Sequence, residues 1–133
     1  MKIKLIIILT LILASCSKDC PIDKPTRTDL LTSNEWVGVS LKEYVNNVEE
    51  SSDDMSNYNR FFLANGDCLT YKNDTPDNIV QWKFVNNQQA IDLIEGDDIT
   101  TVQIETLNET SLVYYYELVQ ETDTIKIEYS FRR

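Results

Sequence analysis

Histidine is absent from the 133 residues, and glycine, proline and cysteine occur three times each. Without imidazole the chain lacks the commonest general base and the usual nitrogen ligand of zinc. Ser-His-Asp and Cys-His catalytic arrangements are therefore excluded. Cations are scarce too: 12 Lys plus Arg stand against 22 Asp plus Glu, a net charge of -10. Nucleic-acid binding needs clustered Lys and Arg that displace counterions, so DNA and RNA are not expected partners. Cys-x-x-Cys spacing is missing, which argues against redox catalysis and zinc ribbons. No apolar run reaches the ~18 residues that a membrane-spanning helix needs. The length leaves room for one small domain.

What is present begins with an address. Lys2 and Lys4 precede Leu5 to Ala14, which is apolar apart from Thr10. Ten residues rise only ~15 Å as a helix, about half the hydrocarbon thickness, so the segment reads as a secretory signal peptide. At its end, Leu13-Ala14-Ser15-Cys16 resembles the lipobox of bacterial lipoproteins. That resemblance implies cleavage before Cys16 and transfer of a diacylglyceryl group to its thiol. Removal of residues 1–15 would leave 118 residues, and loss of Lys2 and Lys4 would take the charge from -10 to -12. The expected location is the cell envelope, with the lipid on Cys16 holding the protein to the outer membrane at its periplasmic face or the cell surface. More than one acyl chain gives stable anchoring. Residues 17–28 (SKDCPIDKPTRT) hold two prolines, five charges and one large apolar residue, so residues 16–28 read as a tether. Cys20 and Cys68 are a candidate disulfide for an oxidising compartment, worth ~4 kcal/mol in the chain-entropy model; the alternative is two separate thiols.

From Asp29 on, the chain is all-β. Asp29 to Asn34 is expected to hold one helical turn, with Leu30 and Leu31 as its apolar contacts. Eight runs rich in Val, Ile, Tyr, Phe and Thr follow: 35–45, 59–64, 68–72, 79–85, 90–95, 99–107, 111–120 and 124–132. Alternation is clearest at the end, where Ile125, Ile127, Tyr129 and Phe131 share one face. Asn65-Gly66-Asp67 is a tight-hairpin signal, and Asn86-Asn87, Gly96-Asp97-Asp98 and Asn108-Glu109 are further turns. Residues 46–58 (NNVEESSDDMSNY) read as a long acidic loop. Eight strands can close into a barrel that removes sheet edges and is just wide enough to be filled or to hold one small ligand. Residues 29–133 are thus expected to form a small eight-stranded antiparallel meander barrel, with an open β-sandwich as the alternative.

Several segments resemble a family. Leu30-Leu31 ahead of Trp36, then RFFLANGDCLTY (60–71), QWKFVNNQQAIDLIEG (81–96), QIETLNETSLVYYYEL (103–118) and IEYSFRR (127–133) are similar to the lipocalin-like domains of small bacterial lipoproteins. Ser33-Asn34-Glu35 departs from that pattern, where a glycine is usual. The resemblance implies a lipocalin-like, calycin-type barrel and no particular ligand, since function resides in sites rather than folds.

Candidate sites are few. The acidic pairs Glu49-Glu50, Asp53-Asp54 and Asp97-Asp98 lie in polar surroundings, where no burial would raise a pKa for acid–base work. Asn73 to Asn78 and Gly96 to Asp98 offer oxygens for calcium without the regular spacing of a calcium loop, so no metal and no cofactor is expected. Asn-x-Thr at Asn73 and Asn108 reads as turn chemistry. The aromatics are the better lead: Tyr71, Trp82, Tyr114 and Tyr116 are the expected lining of an apolar ligand site, weighed against plain core packing. The expected function is non-enzymatic binding of a small apolar ligand. The alternative is an envelope interaction protein with a solid barrel and a protein partner.

Overall fold

The computed structural model describes residues 23–133. The expected leader, Cys16 and Cys20 lie outside the described residues. Among the described residues a short helix, α1 (Arg27–Thr32), precedes nine strands: β1 (Trp36–Val45), β2 (Val48–Asp54), β3 (Tyr58–Phe62), β4 (Asp67–Lys72), β5 (Thr75–Val85), β6 (Ala90–Glu95), β7 (Asp98–Leu107), β8 (Ser111–Gln120) and β9 (Asp123–Arg132). Every pairing is antiparallel, and β1 pairs with β9, so β1 and β3 to β9 close an eight-stranded meander barrel. This is the expected barrel, not the alternative open sandwich. β2 is an extra strand on the free stretch of β1.

That extra strand corrects the expectation of an acidic loop over residues 46–58. Asn46 and Asn47 adopt φ of 51° and 68°, the left-handed pair that a two-residue hairpin requires and Asn tolerates. The Asn46 side chain locks the turn by donating to Asp123 Oδ1 at 2.8 Å and accepting from the Thr124 amide at 3.1 Å. VEESSDD then pairs with β1 although every residue of it is exposed. Asn73 and Asp74, at φ of 50° and 59°, make the same kind of turn between β4 and β5. β5 consequently starts at Thr75 rather than Ile79.

The barrel is solid at one end. Leu31, Trp36, Phe62, Cys68, Trp82, Ile91, Val102, Leu112, Tyr114 and Phe131 form one buried cluster. α1 plugs this end; it begins before Asp29 because Thr26 and Asp29 form a capping box, with Thr26 Oγ1 accepting from the Asp29 amide at 3.1 Å. Leu31 enters the core, and Trp36 Nε1 donates to the Leu31 carbonyl at 2.9 Å. The Arg133 guanidinium covers the Trp36 ring at 4.3 Å and donates to the Leu30 carbonyl. Among the described residues the core runs from Leu31 to Phe131, so the barrel has the hydrophobic core of its own that an independently folding unit requires.

Candidate functional site

The other end of the barrel is parted. β7 pairs with β8 only from Gln103 to Leu107. Before that, Asp98 to Thr101 pair with β6 alone, while β8 from Tyr116 onward pairs with β9 alone. On the opposite side, β1 pairs with β3 at just Trp36–Arg60 and Val37–Asn59, then turns to β2. Two seams therefore open the wall at the same end, and each leads into a cavity. The first measures about 530 Å³ and runs between β7 and β8, past Val80, Leu93, Ile99, Val102, Tyr116 and Leu118. The second, about 500 Å³, runs past Leu41, Met55, Tyr58 and Lys72. They share Arg60, Thr70, Asn78 and Tyr129, so the two seams meet over one floor.

Strand periodicity builds that floor. Arg60, Thr70 and Asn78 are successive cross-strand partners on β3, β4 and β5, and partners in register point to the same face. One wall is an aromatic stack: Tyr129 lies 5.5 Å from Tyr114 and 6.5 Å from Tyr116, and Tyr114 lies 5.6 Å from Phe131, with ring planes tilted by 28–30°. Half-buried Arg60 sits against this stack, 5.9 Å from the Tyr114 centroid and 5.6 Å from that of Phe131.

The polar arrangement at Arg60 is asymmetric. Its Nε donates to Thr70 Oγ1 at 3.2 Å, and Nη1 donates to the Tyr114 hydroxyl. Nη2 has no protein acceptor among the described residues. The ion pairs there are Lys42–Glu49, Lys83–Asp92 and Lys126 with Glu105 and Glu128, so Arg60 has no carboxylate partner. Burial works against its charge, but neighbouring Tyr114 and Cys68 favour it, and the balance holds its pKa above the ordinary value. Burial also pushes the Tyr114 phenol far up and the Cys68 thiol up to about 11, so both stay neutral near pH 7. Around this basic floor the rim of the β7–β8 seam is acidic, with Glu95, Asp98 and Glu117; the other seam is bordered by Asp53, Asp54 and Asp77 together with Lys72.

Of the four aromatics read as lining, Tyr114 and Tyr116 border the first cavity. Trp82 does not; it lies in the solid end, edge-on to Phe62 and Phe84 at 5.7 and 5.3 Å, with Nε1 donating to the Leu63 carbonyl at 2.9 Å. Tyr71 does not either: it alternates away from Thr70 and packs edge-on against Phe61 at 5.6 Å. Cys68 is fully buried in the core; its candidate partner Cys20 is outside the described residues. Tyr115, on the outer face, is covered by Lys126 Nζ at 4.3 Å from its centroid. Asn108 serves its turn, with Oδ1 accepting from the Thr110 and Ser111 amides at 2.9 Å each. No group of three or more Cys, Asp or Glu gathers as a metal site among the described residues. Arg60 and Thr70 went unread as site residues in the sequence, where Asn78 counted only among possible calcium oxygens and Tyr129 only on a strand face. The signal for Arg60 was there, since Phe62 two residues on is a core side chain and the intervening period of two turns Arg60 inward.

Set against family models, curated proteins and solved structures, the chain matches none.

Proposed function

We propose that this chain is a lipid-anchored envelope protein whose parted barrel end takes up one small, largely apolar molecule without altering it chemically. The observation that carries the reading is the β7–β8 seam. It opens a space of about 530 Å³ beside Val80, Leu93, Ile99 and Leu118, within the ~300–1,000 Å³ typical of small-molecule sites. Ile99 and Leu118 remain 57% and 53% exposed, apolar surface that a ligand would cover. The anchor rests on Leu13-Ala14-Ser15-Cys16 and its likeness to a lipobox, which would hold the barrel at the outer membrane.

N-phenyl-1-naphthylamine, a neutral apolar fluorophore, tests the binding reading on the barrel of residues 23–133. Saturable fluorescence enhancement at one probe per chain is expected, reduced at least tenfold in affinity when Leu93→Trp fills the cavity. Absence of saturable binding would overturn the reading. Metabolic labelling with an alkyne fatty acid tests the anchor: label is expected on the full chain and lost in Cys16→Ser.

A further inference from the structure

The floor of the mouth says more about the occupant than its volume does. A guanidinium is charged at every accessible pH and offers five N–H donors. At Arg60, Nε and Nη1 are held by Thr70 and Tyr114, which fixes the plane of the group; Arg60 lines both cavities, and its Nη2 has no acceptor among the described residues. A half-buried cation without a counter-charge is costly to keep. The neighbours that orient it, a threonine hydroxyl and a phenol held neutral by burial, do not neutralise it. The acids that border the two cavities are all exposed.

We propose that the molecule bound in the mouth carries one negative charge, a carboxylate, which seats on Arg60 while its apolar body lies between β7 and β8 against Leu93, Ile99 and Leu118. This rests on the reading of the mouth as a ligand site and names the class of ligand. A carboxylate matches the planar fork of Arg better than a point charge does. The six rim acids favour a single negative charge over several, because each added charge must pass and remain among them. Along the β7–β8 seam, head-first entry is dictated by the order of surfaces: cation at the floor, apolar flanks above it, acids outermost.

Displacement of N-phenyl-1-naphthylamine from residues 23–133 separates the two claims. Decanoate is expected to displace the probe at least about tenfold more tightly than decanol, the gain of a charge-assisted hydrogen bond. Arg60→Met should erase that preference, so that decanoate and decanol displace the probe equally. Because Arg60→Met strands the Tyr114 hydroxyl, Arg60→Met/Tyr114→Phe serves as the second variant and should give the same loss. A probe that never binds defeats the ligand site itself. A bound probe displaced equally by decanoate and decanol, or a decanoate preference that survives in both variants, overturns the assignment to Arg60 and leaves the ligand site standing.

Discussion

Gly38 is the position where the parted end of the barrel is most sensitive to a single methyl group. β1 changes register with β9 between Gly38 and Ser40, and the chain passing from β2 to β3 crosses it there. A Cβ on Gly38 would stand 2.2 Å from the Met55 carbonyl oxygen, 2.9 Å from Met55 Cβ and 3.0 Å from the Met55 carbonyl carbon. Relief requires moving that backbone by roughly 1 Å, since heavy atoms do not approach so closely. The Met55 backbone cannot move freely: its amide donates to the Val39 carbonyl at 3.2 Å and its carbonyl accepts from the Tyr58 amide at 2.9 Å. Overpacking costs ~1–3 kcal/mol and each weakened hydrogen bond adds up to ~1 kcal/mol, so Gly38→Ala should lose about 3 kcal/mol. Gly96 is the control. It has φ of +61° with no atom within 4 Å of an added Cβ, so Gly96→Ala pays only left-handed strain of ~1–2 kcal/mol. Gly96→Asn should recover most of that loss, because Asn tolerates this conformation, whereas Gly38→Asn should be no better than Gly38→Ala. Urea unfolding followed by the fluorescence of buried Trp36 and Trp82 measures all four. A Gly38→Ala variant within ~0.5 kcal/mol of the parent, a change typical of neutral surface substitutions, would refute the crossing geometry.

Three further outcomes are expected. Cys68 has its thiol raised from 9.0 to about 11 by burial, so the folded state favours the neutral form. The stability from this group is complete below pH 9 and lost as pH rises toward 11, about 2–3 kcal/mol in all. Cys68→Ala in the reduced protein should flatten the urea midpoint over that range, and an unchanged slope would contradict it. Asn46→Ala should cost about 2 kcal/mol through left-handed strain and two lost turn contacts, with Asn46→Gly costing less; a chemical melt showing Gly the worse of the two would count against the turn. Trp82→Phe should lose about 1–2 kcal/mol through the lost hydrogen bond to the Leu63 carbonyl, which keeps the Gly66 amide as a donor, and through the smaller ring, while leaving N-phenyl-1-naphthylamine affinity unchanged, because Trp82 lies in the solid end; weakened probe binding would place it at the mouth instead.

The closed barrel was readable because its strands alternate: Leu112, Tyr114 and Tyr116 on β8, and Tyr129 and Phe131 on β9, announce an inner face two residues at a time. β2 was not, because VEESSDD has no apolar face to alternate; its signal was the Asn46-Asn47 pair, which carries turn chemistry without glycine. Tyr114 and Tyr116 could be placed on an inward face, but inward is not the same as at the mouth. Trp82 also points inward and is consumed by the core beside Phe62. What separates them is where pairing stops, and that depends on long-range register: the shift between Ile104 and Thr106 on β7 decides how far β8 stays attached. No local pattern encodes it. Tyr71 was misplaced for a simpler reason, since on β4 the inward positions are Cys68 and Thr70 and the aromatic falls between them.

Stability and binding are divided along the barrel axis, and Arg60 stands at the division. Below it, large apolar side chains and α1 fill the lumen; above it, the seams admit solvent. A barrel shaped for stability alone would place a methionine or leucine at this inward position, because exchanging a buried charged group for a packed apolar one is often neutral or favourable. The substitution has a condition, however. Tyr114 is 1% exposed and its hydroxyl accepts from Arg60, so Arg60→Met alone should lose ~1–3 kcal/mol from the stranded hydroxyl. Arg60→Met/Tyr114→Phe removes both partners together and should return to the parent's stability or exceed it. The cation and the phenol would then be coupled by more than 1 kcal/mol in a double-mutant cycle. A double variant that remains as unstable as the sum of its parts would mean that Arg60 holds the barrel together through its packing on Tyr114 and Phe131, and its charge would need no ligand to account for it.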